Sequence, residues 1–506
     1  MADDTQVKVH RIGTRTDNDG LMIRDSIAGL LGRARERLRP APAGQRFLDK
    51  PYASVQLLLL AGIGLLGFGI LMAVSTTISA SHDANGTGTA QIWNQVVKEA
   101  EFVALGLPIF WIAVRLPPRA YRVLTYPALG LALLALVAVL IPGVGVNING
   151  ANRWINLGPL QVQPSELAKV AMLLWGADLL ARKQQLGTLR RARHLFLPLI
   201  PGFLLVGLLV MLEPDLGTTC CFVLILLGLL WMVGMPLRYF GAVVGVVVGS
   251  VVALAFAAPY RWERVTTFLH PFKDAQNTGF HTVEGLYALA SGGFFGVGLG
   301  QGTSKYGWVP NANSDYVFAI IGEEVGLIGC LAVLALFGLF AYTGMRVSRR
   351  NADPFVRLVS GAATIWLCGQ AIINIGYVTG LLPVTGIPLP FISAGGTSLL
   401  ASFFVLGMLV SFARHEAPAV AVARKADRLH RRTRLERWLH IPVPKAYAPP
   451  RRRPARAASA RAASVRAAPA RPAAPARVRS SSAAPPRANS QAPLRATGTD
   501  SRRGRR

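Results

Sequence analysis

The chain has 506 residues, 52% of them hydrophobic and only 16% charged, with a mean hydropathy of +0.39; a soluble domain carries about 25% charged residues. One soluble core cannot bury that much apolar surface, so the composition excludes an ordinary soluble enzyme and calls for a bilayer. The net charge of +29 does not signal nucleic-acid binding, because 24 of the 54 Lys and Arg lie from Arg414 onward against four acids, which puts about +20 in the tail.

In chain order, residues 1–50 are polar, carry no cleavable signal peptide and read as a cytoplasmic N-terminal extension. A membrane domain over 51–415 follows. Apolar stretches fall at 55–80, 102–114, 121–141, 167–180, 195–212, 218–234, 239–258, 316–343, 358–379 and 398–413. About twenty residues are needed to cross the hydrocarbon, so the shorter stretches must borrow flanking residues. Helices are expected because they satisfy their own backbone in lipid. The fold class is therefore an all-α polytopic membrane protein of about ten transmembrane helices.

Arg115, Arg119 and Arg122 follow the second stretch, Arg182 and Lys183 the fourth, Arg238 the sixth, and Arg346, Arg349 and Arg350 the eighth. The positive-inside rule puts these loops and both termini in the cytoplasm, which requires an even number of spans. Three outer segments are too long for simple turns: 143–164, a large loop at 259–314 between helices 7 and 8, and 382–397. Their Trp, Phe, Pro and Gly content suits an ordered cap or re-entrant surface. Cys220, Cys221, Cys330 and Cys368 sit inside apolar runs and read as buried thiols. Residues 416–448 form a basic juxtamembrane segment, in which 423–439 suits a helix on anionic lipid. The Arg, Ala and Pro composition of 449–506 predicts a disordered cytoplasmic tail.

Ionisable residues at membrane depth mark the chemistry. Glu166 and Lys169 open the fourth stretch three residues apart, so they share a helix face and can pair; Ser165 is placed to cap that helix. Glu213 and Asp215 bracket a proline at an outer turn, which a turn plus a helix cap explains. Asp315 stands where a polar loop enters an apolar helix. It serves there either as an N-cap or as an interfacial carboxylate tuned for base or metal duty. Arg153 and Trp154 in the first outer loop, with Arg264 and Lys305 in the long one, place cations suited to phosphate on a positive-poor face. The Gly292–Gly300 run follows no strand and is no nucleotide loop.

Taken together, Asn149–Gly158, Gln163–Lys169, Glu213–Thr219, Asn313–Glu324 and Leu382–Ser398 resemble, in order, the motifs of the SEDS family (shape, elongation, division and sporulation) over residues 57–413. The N-terminal extension, Ile392–Ser398 and Ala413–Glu416 look like its division-type members, with the elongation paralogue the alternative. Departures are Ser314-Asp315-Tyr316 for the usual Thr-Asp-Phe, His281 for Gln and Ala394 for Tyr.

The resemblance implies a peptidoglycan glycosyltransferase that polymerises lipid II at the septum of the bacterial inner membrane; a lipid II flippase is the rival reading. It raises Asp315 to the catalytic residue, as base or as ligand to a divalent Mg or Mn, with no organic cofactor. It implies substrate contacts at Arg153, Trp154, Gln163, Glu166, Lys169, Arg264, Lys305, Ser393, Gly395 and Gly396, supported by Glu213, Asp215 and Glu324. The implied partners are a class B penicillin-binding protein (the septal transpeptidase), other divisome proteins, lipid II and undecaprenyl diphosphate. Anionic lipids would meet the basic tail, and no nucleic acid is expected.

Overall fold

The computed structural model describes residues 47–449 apart from 80–87, 149–150, 159, 191–194, 257–261, 263–265, 269, 275–278, 306–308, 310–311, 430–436 and 438. The N-terminal extension to residue 46, the tail from 450, and Arg264 lie outside the described residues. The chain divides into two units between Ala448 and Pro449, and every helix described belongs to the first.

Apolar runs become helices because a helix satisfies its own N–H and C=O groups where no water can. In order these are α1 (Ala53–Ser79), α2 (Gly88–Arg115), α3 (Pro118–Val139), α4 (Pro164–Leu186), α5 (Leu199–Leu212), α6 (Leu216–Met232) and α7 (Leu237–Phe256). After the long loop come α9 (Val317–Arg350), α10 (Pro354–Val378) and α11 (Gly396–Arg414). Among the described residues two shorter helices join them: α8 (Phe280–Ser291), inside the loop that sequence left without spans, and α12 (Ala417–Arg428) after α11. The surface helix expected at 423–439 is represented by α12, which starts earlier and buries Ala419 and Val420; residues 430–436 and 438 of that expectation lie outside the described residues.

Among the described residues, α1, α3, α9, α10 and α11 are long and apolar enough to cross a membrane. Burial separates inner from outer helices. In α10 and α11, 67% and 72% of the apolar window is buried, against 22% in α3. Leu60, Ile63, Val123, Leu134, Leu208 and Val246 face outward, an apolar perimeter suited to lipid. The molecule is a multi-pass membrane protein.

The first long loop is not a coil. Residues Gly145–Ile148 (β1), Ala151–Leu157 (β2) and Leu160–Val162 (β3) form an antiparallel meander, with Val146 opposite Trp154 and Ile155 opposite Val162. Ser165 is not the cap of α4. Pro164 takes the first helical position, Gln163 the N-cap without a side-chain bond, and the buried Ser165 hydroxyl has no hydrogen-bond partner. Proline favours that first position because it needs no N–H there and its φ is already helical.

Helix α9 is broken at Gly326, where φ is +73° and ψ is −166°. The Gly292–Gly300 run repairs the break. Val297 and Gly298 donate their N–H groups to the carbonyls of Glu323 and Glu324, and Leu327 and Ile328 donate to Gly293 and Phe294. Broken helices survive at membrane depth only with such replacement bonds. The glycines allow the close approach: a Cβ on Gly296 would stand 2.2 Å from the Glu324 carbonyl oxygen.

Candidate active site

Asp315 lies two residues before α9, yet it does not cap that helix. Tyr316 is the N-cap, and no side chain makes a capping bond. The carboxylate accepts a hydrogen bond from Ser314, and burial pushes it up to about 6, with the charge of Asp215 adding to the rise. Its main chain is held from several sides. Asn374 Nδ2 lies 3.0 Å and the Tyr377 hydroxyl 2.9 Å from the Asp315 carbonyl oxygen. On its flank, the Ser393 hydroxyl donates to the Ser314 carbonyl at 2.5 Å and the Ala394 N–H to the Asn313 carbonyl at 2.9 Å. The loop between α10 and α11 passes so close that a Cβ on Gly386 would stand 3.7 Å from Asp315 Oδ2. His281, the departure in α8, stacks its ring on Tyr316 at 6.3 Å between centroids.

The turn between α5 and α6 meets the same loop, since a Cβ on Gly217 would touch the Thr385 carbonyl oxygen at 2.9 Å. Asp215 caps α6 as expected. Its Oδ1 accepts from the Thr218 N–H at 3.0 Å, and its Oδ2 accepts from the Thr218 hydroxyl at 2.7 Å and from Gln163 Nε2 at 3.1 Å. Glu213 is buried with neither carboxyl oxygen hydrogen-bonded. Burial pushes it up to about 8, the charge of Asp215 adding and that of Arg153 opposing. From β2, Arg153 reaches this turn through Nε to the Glu213 carbonyl at 3.0 Å and Nη2 to the Pro214 carbonyl at 2.7 Å. Its neighbour Trp154 stays half-buried in the sheet.

Glu166 and Lys169 pair within α4 at 2.8 Å, their side chains 4% and 2% exposed. Lys169 also lies over the Trp366 ring, 5.3 Å from its centroid, so both charges are closed away beneath the loop layer. Lys305 makes a second buried pair, 2.7 Å from Glu324, and Ser75 of α1 joins it by bonding both partners. The Glu323 carboxylate meanwhile accepts the N–H groups of Thr303 and Ser304. Beside Lys305 a cavity of about 900 Å³ opens between α1 and α2. Leu66, Ile70, Val103 and Leu107 make it apolar, and Asn313, Ser314, Ser393, Gly395 and Gly396 form its polar end.

The Asp315 carboxylate, an acidic turn whose Asp215 caps α6 and a buried Glu–Lys pair therefore meet at one end of the bundle, with the Ser314 flank of Asp315 lining an amphipathic cavity. The model of the cell cycle protein family FtsW/RodA/SpoVE matches residues 56–417. The chain belongs to this family. It is 40% identical to the probable peptidoglycan glycosyltransferase FtsW of Mycobacterium tuberculosis over 449 residues, 87% of this chain and 83% of that one. The FtsW of Hahella chejuensis is 36% identical, covering 70% and 88%. Among solved structures, a peptidoglycan synthase complex that coordinates polymerisation and crosslinking matches 69% of this chain and 97% of its own, at 28% identity and a TM-score of 0.56. A variant of the rod shape determining protein RodA of Thermus thermophilus matches 71% and 97%, at 26% identity and a TM-score of 0.50.

Within this FtsW/RodA/SpoVE chain the donor set fits a shared metal rather than a resident one. Among the described residues no three His, Cys, Asp or Glu side chains group to hold an ion, and the oxygens of Asp215 already accept from Thr218 and Gln163. Magnesium commonly takes one carboxylate together with substrate phosphates, and Asp315 offers that carboxylate. The residues that sequence reasoning missed are Gln370, Asn374 and Tyr377 of α10. Their signal was present as a polar residue at every turn of an otherwise apolar span.

Proposed function

We infer that this chain is a peptidoglycan glycosyltransferase that polymerises lipid II into glycan strands during cell division. The observation that carries the reading is Asp315, a carboxylate that caps no helix, is held by its backbone, and directly follows Asn313 and Ser314 of the cavity lining. The basic loops support a reading in which the opposite end of the bundle faces the cytoplasm, with ten spans and both termini inside. Asp315 then faces the outer leaflet of the bacterial plasma membrane, where lipid-linked precursors are polymerised.

The donor is the growing glycan on undecaprenyl diphosphate, and the acceptor is lipid II. The acceptor's GlcNAc 4-hydroxyl attacks the donor's anomeric carbon. Its oxygen forms the new glycosidic bond, and the bond to the diphosphate breaks. Asp315 takes the hydroxyl proton as general base. The cavity between α1 and α2 holds isoprenoid against its apolar walls. Arg153 reaches the acidic turn and is the described cation proposed for the diphosphate; Lys169 is occupied by Glu166, which makes it a support for the site rather than a ligand. A Mg or Mn ion shared by Asp315 and the diphosphate would neutralise charge on the leaving group.

Similarity to a synthase complex that couples polymerisation to crosslinking supports a class B penicillin-binding protein as partner. The FtsW relatives support placement at the septum. The test uses purified chain with its partner and labelled lipid II, with products separated by gel. Asp315→Ala and Asp315→Asn should abolish glycan chains while folding and partner binding persist. Wild-type turnover should also fall as pH drops through about 6, because a base must be deprotonated. Glycan synthesis by either variant at the wild-type rate sinks the assignment.

A further inference from the structure

Helix α10 carries one polar stripe. Trp366, Gln370, Asn374 and Tyr377 recur at spacings of four, four and three, so they lie along one helix face. None is more than 1% exposed. Polar groups buried this completely are retained only where their hydrogen bonds matter. Trp366 Nε1 donates to Gln370 Oε1 at 3.0 Å, and Gln370 Nε2 donates to the Pro388 carbonyl at 2.9 Å. One turn further, Asn374 Nδ2 is 3.0 Å from the Asp315 carbonyl oxygen and 2.7 Å from that of Ile387. The Tyr377 hydroxyl is 2.9 Å from each of the same two oxygens.

Those carbonyls belong to two separate segments, the entry to α9 and the loop between α10 and α11. Left without donors at this depth they would carry a desolvation penalty; with Asn374 and Tyr377 between them they converge on one point. Gly386, beside Ile387, is the residue that passes the Asp315 carboxylate. The two α10 donors therefore set how far that carboxylate stands from the loop. Neither touches the carboxylate itself.

We propose that Asn374 and Tyr377 are positioning residues that place Asp315 by clamping its backbone carbonyl to that of Ile387. The lower end of the stripe rests on the Glu166–Lys169 pair through the Trp366 ring, which gives that pair a structural share in the same task. This rests on Asp315 being the catalytic residue.

The experiment uses full-length chain with its partner, measuring kcat and KM for labelled lipid II together with the melting temperature. Asn374→Leu keeps the approximate shape and removes the donors; Tyr377→Phe removes only the hydroxyl. Asn374→Leu should lower kcat by on the order of 10²-fold, as displaced catalytic groups do, with KM changed by less than about threefold. Tyr377→Phe should lose less, because Asn374 still reaches both carbonyls, and it should melt close to wild type. Wild-type kcat in Asn374→Leu, or a loss expressed wholly in KM, overturns the proposal. Asp315→Asn is measured alongside. If it stays active, the catalytic reading fails and takes the proposal with it; if it is dead while Asn374→Leu turns over normally, the positioning role alone fails.

Discussion

Three carboxyl groups near one loop show how the surroundings decide what the same chemical group does. Asp215 is satisfied by Thr218 and Gln163 and holds a helix end. Asp315, pushed up to about 6, is still mostly ionised at neutral pH. Glu213, pushed up to about 8, holds its proton there. The folded protein therefore binds that proton more tightly than the unfolded chain, whose carboxyl keeps the ordinary value near 4.5. Stability from this residue is greatest below about 4.5 and is lost as pH rises to about 8. Glu213→Gln should accordingly melt like wild type near pH 5 and above it at pH 8.5, measured in detergent, with polymerisation kept at neutral pH. Asp215→Ala, by contrast, removes a cap and should cost about 0.5–2 kcal/mol. A Glu213→Gln protein that melts lower at pH 8.5 would mean the side chain is needed as an anion.

At the scale of elements, the break in α9 is the least expected feature and the one most dependent on backbone chemistry. Gly326 adopts a φ/ψ pair that side-chain-bearing residues avoid, at a cost of about 1–3 kcal/mol. A Cβ there would also lie 2.3 Å from the Gly296 nitrogen. Gly326→Ala should therefore lower the melting temperature by several degrees and reduce the yield of folded protein. Gly338 is the internal control, in the same helix with no atom within 4 Å of a Cβ. Gly338→Ala should be neutral or mildly stabilising, as helical Gly-to-Ala changes are. Equal melting of the two variants would count against the break. The buried Lys305–Glu324 pair lies at this junction and ties it to Ser75 of α1. Losing one partner of such a pair leaves an uncompensated buried charge, so loop, break and α1 form one unit.

At the scale of the whole molecule, the two ends of the bundle are built differently. One end carries the carboxylates and the loop layer. The other carries charge pairs, with Arg122 2.6 Å from Asp353 and Arg182 2.7 Å from Asp178. Residues 439–447 cross this second end. Trp111 Nε1 donates to the Leu439 carbonyl at 3.1 Å, Arg414 Nη2 to the Pro442 carbonyl at 2.9 Å, and Gln185 Nε2 approaches the Tyr447 hydroxyl at 3.5 Å. This irregular segment joins the ends of α2, α11 and α4. A chain ending at Pro449 keeps these contacts and should polymerise lipid II normally in detergent, while localising poorly to the division site for want of its basic tail. A chain ending at Leu429 loses them and should melt several degrees lower. If the chain ending at Pro449 stays folded with its partner yet loses polymerisation, the tail takes part in catalysis.

Much of this architecture was legible in the sequence because it is local. Apolar runs long enough to cross lipid mark the spans, the three-residue spacing of Glu166 and Lys169 puts them on one helix face, and Asp215 precedes its helix as a cap must. Sequence also singled out Asp315, but it left cap and catalytic duty open, since both put an aspartate at the same position. Tertiary structure supplied what separates them: Tyr316 takes the cap, and the Asp315 carbonyl is bound by Asn374, 59 residues away. The Gly292–Gly300 run had no reading until α9 was seen to break opposite it. Lys305, read from sequence as an open cation, is instead closed onto Glu324 and onto Ser75, 230 residues upstream. Helix periodicity and capping act over three or four residues, so a sequence carries them directly. The partner of a buried charge or carbonyl is decided by which helices pack together, and neither spacing nor composition records that.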